Sequence, residues 1–171
     1  NIVICEDDNI QRSTIEKFIK NSIAKNDYSF RIKLSTANPE DVLKNIGSGD
    51  IYFLDVDLNN KINGFKLAEK IRDIDSLGYI IFITTHSELT YLTFKYRVEA
   101  MDFILKDNVN EIDFRINECL SHIHKHINKE KSDVKTLTLT LDDRIIKILL
   151  KIFLKEKKYL LNLQKRILLM K

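Results

Sequence analysis

Side chains that can bind a cation or a phosphoryl group come directly after, or end, four short apolar runs. They are Glu6 and Asp7, then Asp55 with Asp57 close by, then Thr84, and last Lys106. Clustered carboxylates repel one another, and a hard divalent cation such as Mg²⁺ relieves that repulsion by binding their oxygens. Beside such a cation, Asp55 can attack phosphorus as a nucleophile while Lys106 neutralises phosphoryl oxygens. The residue types therefore indicate phosphoryl transfer onto a carboxylate, provided that the runs end at one place.

The runs fit a regular alternation of strands and helices. Strands are predicted at 2–5, 30–34, 51–54, 79–83 and 101–105, and amphipathic helices follow them, the fourth over 87–96 and the fifth over about 110–129. Strands that are almost entirely apolar are typical of a parallel sheet covered on both faces. With right-handed crossovers, the alternation predicts an α/β fold: a doubly wound five-stranded parallel sheet of flavodoxin-like order.

This fold would bring the reactive residues together. In open parallel sheets the ligand site lies beyond the carboxyl ends of the strands. Glu6, Asp7, Asp55, Thr84 and Lys106 all lie at such ends, so we expect one site that holds them all. None of them needs to act as a general base, which favours transfer from a reactive phosphohistidine over activation of a hydroxyl.

Composition limits the classes of protein that remain. The 171 residues carry a net charge of +3, with 44% hydrophobic and 31% charged residues, which is too apolar for a disordered chain. No apolar run reaches the length of a membrane span, and the first residues do not resemble a signal peptide. Two cysteines cannot form a disulfide framework and fit a reducing compartment, so we expect a cytoplasmic protein.

Four motifs resemble those of bacterial response-regulator receiver domains. They are the runs 4–8 (ICEDD), 53–55 (FLD), 83–85 (ITT) and 103–106 (FILK). The run 86–94 (HSELTYLTF) and the run 100–104 (AMDFI) look specifically like the accessory gene regulator A family. The resemblance covers about residues 1–128 and implies a phosphoacceptor switch rather than an enzyme.

The resemblance also assigns roles to individual residues. It implies that Asp55 is the phosphoacceptor, with Mg²⁺ held by Glu6, Asp7, Asp55 and the backbone carbonyl of Asp57. The residues that would stabilise the phosphoryl group and switch the domain are Thr84, Lys106 and Phe103. It further implies a membrane sensor histidine kinase as partner, in peptide-pheromone quorum sensing, and control of transcription. A homodimer would form through the fourth helix, the fifth strand and the fifth helix.

Two positions depart from the receiver pattern. Glu6 stands where an aspartate is commoner, which lengthens one ligand but keeps its charge. Asp107 follows Lys106 where most receivers have proline, which puts the usual cis peptide in doubt.

The carboxyl-terminal part differs from the rest in charge and pattern. Residues 131–171 hold 11 basic and 4 acidic residues, whereas residues 1–130 hold 17 basic and 21 acidic ones. The run 135–146 looks like the first hairpin of a LytTR-type DNA-binding domain. We therefore predict a receiver domain at 1–128, a linker at 129–134, and an incomplete or divergent LytTR-like segment at 135–171. A truncated or frame-shifted carboxyl terminus would explain this, so DNA binding is expected of full-length relatives but is doubtful here.

An enzyme is the main alternative. The sequence Asp55-Val56-Asp57 also resembles the start of a haloacid-dehalogenase-type phosphatase, in which Asp57 would be the general acid. In that family the second aspartate is usually followed by Gly-Thr, and the motif normally ends the first strand. Here Leu58 and Asn59 follow Asp57, and an acidic pair occupies the end of the first strand.

Overall fold

The computed structural model describes residues 1–91, 93, 96–132, 136–141 and 144–149. In chain order the elements are β1 (Ile2–Cys5), α1 (Asn9–Asn26), β2 (Ile32–Thr36), α2 (Pro39–Lys44), β3 (Ile51–Leu54), α3 (Gly64–Ile74), β4 (Tyr79–Thr84), a 3-10 helix (Ser87–Leu89), β5 (Asp102–Leu105), α4 (Val109–Ser132), β6 (Thr136–Leu141) and β7 (Arg144–Leu149). The first five strands alternate with helical segments, as the hydrophobic pattern predicts.

These five strands form one parallel sheet in the order β2-β1-β3-β4-β5. Cys5 at the end of β1 lies opposite Leu54 at the end of β3, and Thr84 lies opposite Leu105 at the end of β5. The residues that follow these ends therefore leave the sheet side by side at one edge. The predicted doubly wound α/β fold is confirmed.

Helices and loops cover both faces of the sheet. On one face, Phe82 of β4 packs against Phe65 of α3, with ring centroids 5.0 Å apart, within a buried cluster. On the opposite face, Ile83 lines a cleft together with Ile15 of α1 and Ile112 of α4. Burial on both sides explains why the central strands β1, β3 and β4 are almost entirely apolar.

Polar side chains fix where the helices begin. The Asp8 carboxylate accepts hydrogen bonds from the backbone N–H groups of Ile10 and Gln11, both at 2.8 Å. This N-cap starts α1 at Asn9 and leaves Glu6 and Asp7 in the loop after β1. Asn63 caps α3 in the same way by accepting from the backbone N–H of Lys66 at 3.0 Å.

Gly64 lets α3 begin very close to the end of β3. A Cβ atom at this position would collide with the backbone carbonyl oxygen of Asp55. The Gly64 N–H donates to the carbonyl oxygen of Val56 at 2.9 Å, which closes the base of the loop between β3 and α3. The missing side chain is therefore required by this close approach.

Three predicted elements differ from the structure. The strand expected at 30–34 is β2, which covers Ile32–Thr36. Where a helix is expected over 87–96, the structure has the 3-10 helix Ser87–Leu89 and then turns at Thr90, Tyr91 and Tyr96. Thr93 is helical, and residues 92, 94 and 95 lie outside the described residues. The last helix, α4, extends to Ser132 rather than ending near residue 129, so the first residues of the predicted linker are helical. The physical reason is that Lys129, Glu130 and Lys131 favour helix and no glycine or proline follows to stop it.

The chain divides into two compact units, Asn1–His124 and Lys125–Lys171. In the second unit, β6 and β7 pair as antiparallel strands, with Leu141 opposite Arg144. The predicted hairpin is confirmed, but its assignment to a LytTR-type domain stays a prediction, and residues 150–171 lie outside the described residues. Over the part of the chain that the structure describes, no helix combines the length and apolar character needed to cross a membrane.

Candidate functional site

The loop between β1 and α1 carries the first two acidic residues of the site. The Glu6 side chain is buried, and its Oε1 accepts a hydrogen bond from the Asp8 backbone N–H at 3.2 Å. Asp7 is half-buried. From the first turn of α1, the Arg12 guanidinium donates to the backbone carbonyl oxygen of Glu6 at 2.6 Å. The loop is therefore held both by its own backbone and by a neighbouring cation.

Asp55 lies at the end of the adjacent strand β3. Its backbone N–H donates to the carbonyl oxygen of Cys5 at 2.9 Å, which continues the pairing of β1 with β3. The Asp55 carboxylate is buried, and its Oδ1 accepts hydrogen bonds from the backbone N–H groups of Val56 at 2.7 Å and Asp57 at 3.4 Å. One carboxylate oxygen is thus fixed by the turn that follows the strand.

Lys106 reaches the same place from the end of β5. Its backbone N–H donates to the Thr84 carbonyl oxygen at 2.9 Å, which positions the residue beside β4. The side chain is 7% exposed, and its ammonium nitrogen lies 2.6 Å from Oε2 of Glu6 and 2.9 Å from Oδ2 of Asp55. A single buried cation therefore bridges two buried carboxylates.

Burial and neighbouring charges shift the pKa values of two groups at this site. Burial raises the pKa of Glu6 above its usual range; the hydrogen bond from Lys106 opposes this shift, and the Asp55 carboxylate adds to it. Burial, followed by the charges of Glu6 and Asp55, also raises the pKa of the Cys5 thiol to about 12. Cys5 is therefore an unreactive strand residue.

The side chains of the other predicted site residues do not share in the contacts of Lys106. Thr84 is fully buried, and its hydroxyl oxygen accepts from the His86 backbone N–H at 3.4 Å. Phe103 packs against Phe82, with ring centroids 5.9 Å apart. The side chain of Asp57 is exposed, and its Oδ2 lies 3.5 Å from Nε2 of His86. The structure thus brings Glu6, Asp7, Asp55 and Lys106 together, whereas the side chains of Thr84, Phe103 and Asp57 have other partners.

A polar cleft of about 420 Å³ opens at the site, and some of its lining residues have no part in the sequence-based prediction. The described residues that line it are Glu6, Asp7, Asp8, Gln11, Asp55, Asp57, Asn59, Thr85 and Lys106. Thr85, rather than Thr84, belongs to this lining. Thr85 directly follows Thr84 at the end of β4, so the second threonine of this pair was the available signal in the sequence. Asn59 carried none, because its partner in the cleft lies 52 residues away.

Three carboxylates in the cleft can together hold a metal ion. Glu6, Asp7 and Asp55 each offer one oxygen, and these oxygens all lie within 4.8 Å of one another. The donor set consists of oxygen alone, which suits a hard divalent cation and not a soft thiolate-seeking metal. The arrangement can therefore concentrate a cation beside the carboxylate of Asp55.

Comparison with known proteins identifies the family. Residues 2–117 match the response regulator receiver domain family. The chain belongs to this family. As a receiver, it is 46% identical over 143 residues to accessory gene regulator protein A of Staphylococcus aureus strain N315, and 44% identical over 143 residues to that of Staphylococcus epidermidis. The match covers 82% and 81% of this chain, respectively, and 60% of each relative, so the receiver chain spans well under the full length of these relatives.

Solved structures agree with the receiver fold. The response regulatory domain of mrkE from Klebsiella pneumoniae matches with a TM-score of 0.61 and 24% identity, over 72% of this chain and 98% of that domain. The receiver domain of AraT from Geobacillus stearothermophilus matches with a TM-score of 0.59 and 20% identity, over 76% and 96% of the two chains. The predicted family is confirmed, and the phosphatase alternative built on Asp55 and Asp57 has no support in these comparisons.

Proposed function

We propose that Asp55 accepts a phosphoryl group from a phosphohistidine of a membrane sensor histidine kinase, and that the phosphorylated chain acts in the control of transcription. The observation that carries this proposal is the contact of the Lys106 ammonium with both Asp55 and Glu6 beside a cleft open to a donor. By analogy with the accessory gene regulator relatives, the kinase would respond to a peptide pheromone and the chain would work in the cytoplasm.

Mg²⁺ is the proposed cofactor. Glu6, Asp7 and Asp55, together with the backbone carbonyl of Asp57, would hold it. The fit rests on three carboxylate oxygens that lie within 4.8 Å of one another. Burial raises the pKa of Glu6 and the Asp55 carboxylate adds to the shift, so a cation bound here would favour the ionised form of Glu6. When bound, the ion supplies positive charge that offsets the carboxylates and the phosphoryl oxygens.

The residues of the chain divide the chemical work between them. Backbone N–H groups hold one oxygen of Asp55, so the carboxylate is oriented before the donor arrives. A bond forms between the Asp55 carboxylate and phosphorus as the phosphorus–nitrogen bond of the donor breaks, and the electron pair of that bond stays on the imidazole. Lys106 neutralises charge on the phosphoryl oxygens from the position where it now contacts Asp55. No proton has to leave Asp55 for this reaction.

Thr84 and Phe103 would transmit the modification. In this proposal the Thr84 hydroxyl turns to donate a hydrogen bond to the phosphoryl group, and Phe103 repacks as Thr84 leaves its present place. This is a population shift between two packings of the same residues. The readout would be a homodimer through the segment 87–96, β5 and α4. The proposed organisation is a receiver at 1–128, a connection at 129–134 and a LytTR-like segment at 135–171.

The proposal requires one phosphorylation event per chain, at most slow autodephosphorylation, and no turnover of phosphomonoesters. The test is incubation with a small acyl phosphate and Mg²⁺, followed by intact mass, beside a parallel assay with a generic phosphomonoester. We expect one phosphate per chain from the acyl phosphate and no catalytic release from the phosphomonoester. Many turnovers of the phosphomonoester would instead identify a phosphatase and overturn the proposal.

A further inference from the structure

The loop between β3 and α3 is anchored at its base and reaches across the cleft at its tip. Its base is closed by the hydrogen bond from the Gly64 N–H to Val56, and Leu58 within the loop is 3% exposed. Asn59 directly follows this buried leucine and is itself exposed. The position of Asn59 is therefore set by the anchored residues before it.

Asn59 contacts one of the metal-binding carboxylates twice. Its side-chain amide nitrogen donates to Oδ2 of Asp7 at 2.6 Å, and its backbone N–H lies 3.3 Å from the same oxygen. Hydrogen bonds to a charged acceptor are stronger than neutral ones, and two donors restrict the orientation of the carboxylate. This contact joins the loop after β3 to the loop after β1.

We propose that Asn59 is a positioning residue for the metal site. It orients the Asp7 carboxylate, and it ties the loop that carries Asp57 to the loop that carries Glu6 and Asp7. Groups that hydrogen-bond to a ligating carboxylate raise metal affinity because they hold the ligand in place before the ion arrives. This inference rests on the proposed function, since it assumes that Glu6, Asp7 and Asp55 bind Mg²⁺.

The neighbouring residue provides a matched control. Asn60 has the same side chain, lies in the same loop and is also exposed, and its hydrogen bond runs from its backbone N–H to the carbonyl oxygen of Leu58 at 2.5 Å. Substitution of the Asn60 side chain therefore changes the loop composition without touching Asp7. Asn59→Gln keeps a donor amide and serves as the conservative variant.

The experiment measures the Mg²⁺ dissociation constant by calorimetric titration and the melting temperature without Mg²⁺, on the full 171-residue chain. We expect Asn59→Ala to weaken Mg²⁺ binding about tenfold. Asn60→Ala should stay within about twofold of the unsubstituted chain, and Asn59→Gln should recover part of the loss. The melting temperatures without Mg²⁺ should be alike for the two alanine variants, because both residues are exposed.

The outcomes test the role of Asn59 separately from the existence of the Mg²⁺ site. The role of Asn59 is overturned if Asn59→Ala binds Mg²⁺ as tightly as the unsubstituted chain. It is also overturned if Asn60→Ala loses as much affinity as Asn59→Ala. In both cases the proposed metal site itself still stands. An unsubstituted chain that binds no Mg²⁺ overturns the proposed metal site and this inference with it. Selective weakening in Asn59→Ala with partial recovery in Asn59→Gln supports both.

Discussion

The ammonium nitrogen of Lys106 lies 2.9 Å from Oδ2 of Asp55, although the two residues are 51 positions apart in the sequence. They meet because β3 and β5 both run parallel to β4 and end at the same edge of the sheet. The same nitrogen contacts Glu6 at 2.6 Å, so Lys106 compensates two buried carboxylates at once. Its charge is therefore central both to the stability of this edge and to the proposed chemistry.

Replacement of Lys106 by methionine is expected to destabilise the chain in the absence of divalent metal. Removal of one partner of a buried ion pair leaves uncompensated charge and costs on the order of 3 kcal/mol in the free energy of unfolding. Urea denaturation at neutral pH measures this cost. Lys66→Met, at an exposed position of α3, is the control and should change stability little. Equal stability of the Lys106 and Lys66 variants would contradict the compensating role of Lys106.

Divalent metal should stabilise the chain through the acidic residues. Binding of Mg²⁺ to the native state raises the melting temperature by mass action and relieves repulsion among Glu6, Asp7 and Asp55. The double substitution Glu6→Gln/Asp7→Asn should greatly reduce the shift in melting temperature produced by Mg²⁺. A thermal melt with and without Mg²⁺ measures it. The same shift in the double variant and the unsubstituted chain would refute a shared acidic site.

The raised pKa of Glu6 predicts a pH dependence with a definite sign. Above the usual glutamate pKa, native Glu6 holds a proton that the unfolded chain has lost. Its contribution to the free energy of unfolding without metal therefore falls as pH rises towards the raised pKa. Metal binding needs the carboxylate, so Mg²⁺ affinity should rise over the same range.

Titrations at about pH 5.5 and about pH 8 compare the two protonation states of Glu6. Glu6→Gln removes the titrating group and should show a smaller change in Mg²⁺ affinity between these conditions. Affinity that is independent of pH in the unsubstituted chain would contradict the assignment of Glu6 as a buried ligand.

The basic carboxyl-terminal part predicts at most non-specific binding to DNA, and no preference for a particular sequence. Residues 131–171 carry 11 basic and 4 acidic residues, and such charge binds phosphates in a salt-sensitive manner but reads no bases. Titration of the 171-residue chain with promoter DNA of the accessory gene regulator type and with a scrambled duplex measures the preference. More than roughly tenfold preference for the promoter, about 1.4 kcal/mol, would show that this segment binds DNA with sequence specificity and would contradict the prediction.

The sequence predicted most of the site because strand ends carry much of its chemistry. Unbroken apolar runs defined the parallel sheet, and the sheet then required Glu6, Asp55 and Lys106 to meet at one edge. Thr84 was expected beside them, but it is fully buried, whereas Thr85 lines the cleft. The register of each strand end decides which of two neighbouring residues faces the site, and apolar patterning alone does not fix it.

The hydrophobic pattern of the sequence does not predict the contacts that loops make. The bond between Asn59 and Asp7 depends on how the loop after β3 turns, which the buried side chain of Leu58 and the close approach at Gly64 determine. Neither a leucine nor a glycine in a loop predicts this geometry from the local sequence. Likewise, the sequence predicts Arg12 only as an ordinary residue on a helix surface. The hydrogen bond from its guanidinium to the Glu6 carbonyl oxygen depends on how the loop after β1 folds.

The most direct test of the account asks which residue carries the phosphoryl group. The measurement is intact mass after incubation with a small acyl phosphate and Mg²⁺, followed by peptide mapping, for the unsubstituted chain, Asp55→Asn and Asp57→Asn. Asp57 is a matched control because it lies in the same turn with an exposed side chain. We expect one phosphate, mapped to Asp55, on the unsubstituted chain and on Asp57→Asn, and none on Asp55→Asn. Undiminished labelling of Asp55→Asn would contradict it.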